Sequence, residues 1–429
     1  MESELIMNVT GIIAEYNPFH KGHQYQIDYV RKQLKADYIV VVMSGDYVQR
    51  GAPALLPKHL RAKMALNGGA DLVLELPVQS SAASAEFFAQ GAVSLLDGIG
   101  AVTHLCFGSE EGKISGMLSA ARILNEEPKE YQEALRHFLC EGYSFPYARN
   151  QAFLRYSKSI SSSAGTEEIT RLFSSPNNIL GIEYCRSLLK RNSSIEPVTL
   201  KREGSGYHEK DLIPRQAPSA SAIRSFLCRA GQLSDCDVLN DMVPESSLSL
   251  LLKALKTNGF LTEKDFDLLL HYRLLTLSPD EMKGFQELSS ELAQRIRKRL
   301  NEYEGFSQFA GLLKTKEITR TRIQRGLLHL LLGVQSSARE IPYARVLGFR
   351  RAASPLLKEI KKRGEIPLIT KTANAPALLS ADALRFMETN TTASNIYESI
   401  LCKKEGRAFI HEYQKPIVIT ENHPRYIPD

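Results

Sequence analysis

At 429 residues, 43% apolar and 24% charged, the chain has the composition of a soluble globular protein and is long enough for more than one domain of roughly 100 to 200 residues. No run approaches the ~20 uninterrupted apolar residues of a bilayer span, and Met1 to Thr10 carries Glu2 and Glu4 rather than a basic segment followed by a long apolar one. A cytoplasmic protein without membrane attachment is expected, and the mild formal charge of +6 identifies no nucleic-acid partner by itself.

Short runs rich in Val, Ile and Leu alternate with amphipathic stretches from residue 8 to about 108, the pattern of a parallel sheet with crossover helices. Strands are predicted at Val9 to Glu15, Tyr38 to Met43, Asp71 to Leu76 and His104 to Phe107. Helices are predicted between them, at Gly22 to Lys35, Lys58 to Asn67 and Ser84 to Leu96. Residues 109–170 read as polar helical material inserted on the sheet, clearest at Glu126 to Cys140. A further strand at Glu196 to Arg202, a loop rich in Gly, Lys and Pro, and a helix from about Ser219 complete a doubly wound, Rossmann-like α/β unit over residues 1–235.

Residues 236–429 read as a mainly helical region, with helices at Leu248 to Lys256, Glu263 to Leu275, Pro279 to Gly284, Ser289 to Tyr303, Phe306 to Leu313 and Arg320 to Gly333. The proline-punctuated remainder yields no clear assignment. Cysteines 106, 140, 185, 228, 236 and 402 stand singly with no C-x-x-C pair, so neither zinc nor a disulfide framework is supported.

The first strand runs into Ile13, Ala14, Glu15, Tyr16, Asn17, Pro18, Phe19, His20, Lys21, Gly22 and His23, and a helix follows at once. Ligands of open parallel sheets bind beyond the carboxyl ends of strands. A helix start there offers free N–H groups to an anion, Pro18 stiffens the turn, and Gly22 allows close backbone approach. The imidazoles of His20 and His23 can donate to phosphate oxygens. A partial metal site and a satisfied turn are the competing readings of the same four residues. Ser219, Ser221 and Arg224 open a late helix in a way that suits either a second phosphate grip or an ordinary serine cap.

His20-Lys21-Gly22-His23 resembles the H-x-G-H motif of the nucleotidylyltransferase superfamily. Ala217 to Arg224 is similar to its I-S-S-T-x-I-R element, with Pro218, Ala220 and Ser221 departing from that pattern. Together with Met43 to Gly51, Asp71 to Pro77, Phe107 to Glu110 and Ser175 to Gly181, the Gly11 to His23 segment resembles one branch, the bacterial tRNA(Met) cytidine acetate ligase family. The resemblance implies that acetate attacks the α-phosphorus of ATP, giving acetyl-adenylate and pyrophosphate, and that the acetyl group then passes to N4 of the wobble cytidine of elongator tRNA(Met). It implies that Ile13 to His23, Ser221 and Arg224 contact ATP, with His20 and His23 stabilising the transferring phosphates. It also implies that Gly108 lies against adenosine, and that Arg202 with Asn177 or Asn178 completes the nucleotide site. Mg²⁺ is expected with ATP, although no acidic cluster identifies ligands for it.

Asp46 and Arg50, in the loop after the second strand, suit either acetate binding, since a guanidinium fork matches a carboxylate, or a bond to one another. In the second half, Lys314, Lys316, Arg320, Arg322 and Arg325 form the basic cluster best placed to track tRNA phosphates; a solvated helix face is the plain alternative. A small-molecule adenylyltransferase and a non-catalytic RNA-binding protein remain the rival functions.

Overall fold

The computed structural model describes residues 7–160, 172–173, 175–202, 219–229, 238–336 and 338–421. The expected loop after the Glu196 strand, with Ala217 and Pro218, and Cys236 lie outside the described residues. The five strands read from the sequence all form: β1 (Val9–Ala14), β2 (Tyr38–Ser44), β3 (Leu72–Leu76), β4 (His104–Ser109) and β5 (Glu196–Lys201). They pair in parallel in the order β3-β2-β1-β4-β5. The order reverses between β1 and β4, and a ligand crevice belongs outside their carboxyl ends.

Both faces of the sheet's centre are covered, which is why its central strands are rich in apolar residues. Ile39, Val41 and Met43 of β2 pack with Ile27 and Val30 of α1 (Lys21–Lys32), while Val40 and Val42 pack with Leu95 and Leu96 across the other face. Each such side chain contributes about 1.5–3 kcal/mol of burial. Helix α2 (Lys58–Asn67) lies on the first face and α3 (Ala85–Gly98) on the second.

The predicted helix Glu126 to Cys140 forms as α5 (Lys129–Cys140), and α4 (Ile114–Glu126) precedes it. Glu127 takes φ +44 and Pro128, which has no N–H, starts the next helix instead of continuing the last. With α6 (Phe145–Ile160) and α7 (Pro176–Arg191) they extend the core of the α3 face through Met117, Tyr131, Phe153 and Ile182.

Helices α8 (Ala220–Arg229), α9 (Glu245–Lys256), α10 (Asp267–Thr276), α11 (Ser290–Arg299), α12 (Phe306–Leu312) and α13 (Arg320–Leu332) match the sequence reading closely. The α/β unit, however, does not close at residue 235. Strand β6 (Ala344–Arg350) adds to β3 in antiparallel register, and after α14 (Ser354–Arg363) and α15 (Ala381–Glu405), β7 (Val418–Thr420) adds to β6. Residues 236–429 therefore supply the far edge of the N-terminal sheet as well as a helical core of their own around Leu274, Ile296, Phe309 and Leu327.

The two halves are also joined by charge. Lys58, wholly buried, reaches Glu75 at 2.6 Å, Glu412 at 2.7 Å, Ser394 Oγ at 2.7 Å and Asp46 at 3.5 Å. Arg345 bridges the same two glutamates at 2.9 and 2.7 Å. Burial alone would lower the Lys58 pKa, but the carboxylates of Glu412 and Glu75 outweigh it and raise it.

Candidate active site at the switch point of the sheet

A cavity of about 650 Å³ opens at the carboxyl ends of β1 and β4. One wall is the turn after β1. Tyr16 holds φ +45, a left-handed conformation uncommon for a bulky residue, and this swings the chain across the strand ends. Arg61 of α2, fully buried, fixes the turn by donating to Glu15 O at 2.6 Å, Ser44 O at 3.0 Å and Leu56 O at 2.9 Å, and to Gly45 O.

His20 is the N-cap of α1 and His23 its third residue, and they cap reciprocally. Nδ1 of His20 accepts from the Gly22 N–H at 3.1 Å, and Nδ1 of His23 accepts from the His20 N–H at 3.2 Å. With each Nδ1 an acceptor, the ring proton of each sits on Nε2, leaving two N–H donors for an incoming anion. The rings stack with centroids 3.7 Å apart, and Tyr16 packs edge-on against His23. Burial, then the nearby guanidiniums of Arg202 and Arg224, pushes the His20 pKa down to about 3. Burial, then His20 and Arg202, drives His23 well below its ordinary value. The site is thus two neutral donors beside two cations, a receptor for polyanions.

This has a consequence for stability. The imidazoles of His20, His23 and His329, the last held down to about 4 chiefly by burial, stay neutral when folded and take a proton near pH 6.5 when unfolded. Their contribution is complete above about pH 6.5 and is lost as the pH falls toward the folded values, at about 1.4 kcal/mol per pH unit for each. The urea midpoint of the ligand-free protein is expected to fall steeply from pH 7 to pH 5. A midpoint constant over that range would mean the rings are already charged in the fold.

Opposite the histidines stands the start of α8. Ser219 caps it, accepting from the Ala222 N–H at 3.1 Å, while Arg224 donates to Asn17 O at 2.6 Å and Ser221 Oγ at 3.1 Å. Ser219, Ala220 and Ser221 line the cavity and bring a second helix N-terminus to it. The Ser221 hydroxyl is occupied by Arg224. The inner end is apolar, with Phe88, Phe107, Leu180 and Tyr184 around Gly108. A Cβ on Gly108 would stand 3.2 Å from Arg202 Cγ, so the glycine lets that arginine lie across the strand end.

Of the expected nucleotide contacts, Ile13 to Asn17, His20, His23, Gly108, Asn177, Arg202, Ser221 and Arg224 line the cavity. Pro18, Phe19, Lys21, Gly22 and Asn178 do not. Pro18 is buried in the turn. Phe19 is buried behind the turn, where its ring would meet a Cβ on Gly68. Lys21 points outward, its N–H donating to Met242 O at 2.8 Å. Gly22 makes room for a ring rather than a ligand, because a Cβ there would stand 2.9 Å from His20 Cε1. Asn178 is fully buried and accepts from the Glu110 N–H at 3.0 Å, whereas Asn177 faces the cavity and donates to Glu110 Oε1 at 2.7 Å.

Of the loop pair, Arg50 lines the cavity and Asp46 does not. Asp46 is buried away from it, accepting from the Lys58 N–H at 2.9 Å, while Gln49 joins Arg50 in lining the cavity wall. Of the basic cluster, Arg320 lines the cavity together with Thr321 and Gln324, so the second half supplies part of this same wall. Arg325 is buried against Glu287 at 2.8 Å, with Arg322 3.3 Å from the same carboxylate. Arg325 is therefore a packing residue. Lys314 is exposed, and Lys316 donates to Glu141 O at 3.3 Å. The wall residues Gln324, Thr262 and Glu263 carry no sequence signal, because only the folded chain brings them to the site.

The family model described as HIGH Nucleotidyl Transferase matches residues 7–410. Among similar proteins is the tRNA(Met) cytidine acetate ligase of Clostridium novyi, 39% identical over 371 residues, which are 85% of this chain and 90% of that one. The enzyme of the same name from Acetivibrio thermocellus is 37% identical over 423 residues, 96% of this chain and all of that one. The chain belongs to the tRNA(Met) cytidine acetate ligase family. It is an ATP-using, tRNA-modifying ligase of the HIGH nucleotidyl transferases. Two crystal structures of Thermotoga maritima TmcAL, one bound with alpha-thio ATP and one apo, superpose with TM-scores of 0.88 and 0.90 at 31% identity, over 97% of this chain and 100% of theirs. No described helix is long and apolar enough to cross a membrane.

Proposed function

We propose that the cavity holds ATP with its adenine near Gly108 and Leu180 and its phosphates between the His20–His23 pair and the start of α8. An acetate oxygen attacks the α-phosphorus, the bond from that phosphorus to the bridging oxygen breaks, and pyrophosphate leaves with its charge received by the two Nε2–H donors, Arg202 and Arg224. The N4 amine of the wobble cytidine of elongator tRNA(Met) then attacks the acetyl carbon. AMP departs, N4 loses a proton, and N4-acetylcytidine results, in the cytoplasm. The observation that carries this reading is that one cavity is walled by both halves of the chain, the anion receptor at one side and Arg50, Arg320 and Gln324 at the other.

Among the described residues no group of three or more His, Cys, Asp or Glu is placed to hold a metal ion. A Mg²⁺ that accompanies ATP is proposed to be carried by the phosphates and water. No step above depends on it.

The test is to combine protein, ATP, labelled acetate and elongator tRNA(Met), and to measure pyrophosphate, AMP and label in the tRNA. One pyrophosphate and one AMP per acetyl transferred is expected, with acetate-dependent exchange of pyrophosphate into ATP when tRNA is absent. Acetate-independent turnover with a nucleotide monophosphate would instead indicate a small-molecule adenylyltransferase, and tRNA binding without turnover a plain RNA-binding protein.

Arg50 is assigned to the acetate carboxylate, and the short antiparallel hairpin of Tyr47–Val48 and Ala52–Pro53 that carries it is seated by contact with α13. Gly51 holds φ +76, and a Cβ there would stand 2.5 Å from the Arg325 backbone nitrogen. Gly51→Ala is expected to raise the KM for acetate about tenfold or more, the loss of about one charge-assisted hydrogen bond, with the KM for ATP little changed. Equal changes in both would detach Arg50 from the carboxylate.

A further inference from the structure

The tip between α5 and α6 carries an aromatic group that the reaction above does not use. Tyr143 and Tyr147 stack with ring centroids 4.6 Å apart, 28° from parallel. Tyr147 is 46% exposed, and the neighbouring Phe145 49%. The ammonium of Lys316 stands 4.0 Å from the centre of the Tyr143 ring and donates to Glu141 O, which fixes the tip against the segment leading into α13. Gly142, at φ +75, completes the seat beside Glu317. Arg320, four residues after Lys316, lines the active-site cavity, and four extended residues span at most about 14 Å. Exposed aromatic planes beside a fixed cation, a short step from the reacting centre, form the arrangement on which unpaired nucleobases stack.

We propose that Tyr143, Phe145 and Tyr147 form a stacking platform for unpaired bases of the anticodon loop that flank the target cytidine, with Lys314 and Lys316 beside the backbone phosphates. This rests on the tRNA reading above. Lys314 is exposed and Lys316 is held in place by its carbonyl and ring contacts, so the positive charge is positioned with the rings. Paired bases are closed to such a surface because their faces are already stacked; the unpaired loop is the part of a tRNA whose bases are free to take it. Stacking also separates this role from the Coulombic one, since every base has a π-face and the contact adds no ion pair.

The test is binding of elongator tRNA(Met) to the full chain, alongside acetate-dependent pyrophosphate exchange without tRNA. Tyr147→Leu and Phe145→Leu keep apolar bulk and remove the ring. Each is expected to weaken tRNA binding about tenfold, within the range for loss of one base–aromatic stack, with the exchange rate unaltered. Tyr147→Phe is expected to bind like the parent, because the ring is kept. A 2-aminopurine placed beside the target cytidine is expected to be quenched on binding to the parent and less so by Tyr147→Leu. Parent-like tRNA affinity in both leucine variants, with unaltered quenching, would overturn the platform. Failure of the parent itself to bind tRNA would overturn the tRNA reading, and the platform with it.

Discussion

Acetate-dependent exchange of pyrophosphate into ATP is expected to fall about 10²–10³-fold in His20→Asn, the cost of one donor aimed at developing charge. Asparagine is chosen because it caps helices well, so the start of α1 is kept while the Nε2–H is lost. The effect belongs in the rate of exchange more than in ATP affinity, since in the proposed pose Arg202, Arg224 and the two helix N-termini are left to hold the ground-state phosphates. His23→Ala is expected to behave alike. The double substitution is expected to cost less than the product of the two, because the rings stack at 3.7 Å and the His23 ring is bonded to the His20 backbone, so either loss disturbs the other. A His20→Asn rate within about threefold of the parent would place the histidines outside the reacting centre and leave them as caps alone.

What the sequence disclosed and what it hid follow physical lines. The strands of the parallel sheet are buried on both faces, so their apolar runs stand out, and α2 is bounded by Pro57 and Gly68. Strand β6 was hidden because its partner β3 lies some 270 residues away, as Val73 facing Gly348 illustrates, and a short run between prolines carries no sign of a pairing that distant. Helix α15 was hidden by chemistry. Its inward positions Ala383, Met387, Asn390, Ser394, Tyr397 and Leu401 keep helical spacing, but Asn390 and Ser394 are polar. Asn390 accepts from the Val78 N–H and Ser394 accepts from Lys58, so the apolar period that marks a helix is broken where the helix is most tightly bound. In the site, the turn at His20 to His23 was legible because its residues are contiguous. The wall from Arg320 and Gln324 was not, since helix α13 reads as a basic face for RNA or solvent until the fold brings it to the same cavity. Arg61, in the run Lys58 to Lys63, carries no sign in the sequence of its role as the clamp on the carbonyls of Glu15, Ser44, Gly45 and Leu56.

Lys58→Met is expected to remove about 3–5 kcal/mol of stability, the cost of stranding buried charge, from a total that for a protein is typically about 5–15 kcal/mol. The substitution keeps the bulk of the side chain and deletes the one ammonium that touches Asp46, Glu75 and Glu412 together. Arg345 remains for two of the three, and Lys415 lies only at 3.5 Å from Glu412. Adding Glu412→Gln to Lys58→Met is expected to recover part of the loss, since the second change removes one of the stranded charges; a double-mutant cycle by urea unfolding at pH 7.5 measures the coupling. A single-variant loss below about 1 kcal/mol, the worth of an exposed ion pair, would deny the network any such weight. The same substitution carries a functional signature. Asp46 accepts from both the Lys58 N–H and, through its carbonyl, the Ala54 N–H, and so anchors the hairpin that holds Gln49 and Arg50 at the cavity. Ser394 and Glu412 tie α15 and the segment before β7 to the same ammonium. Loosening that centre acts first on the wall shared by both halves, so the KM for acetate is expected to rise before ATP binding at the His20–His23 turn is affected.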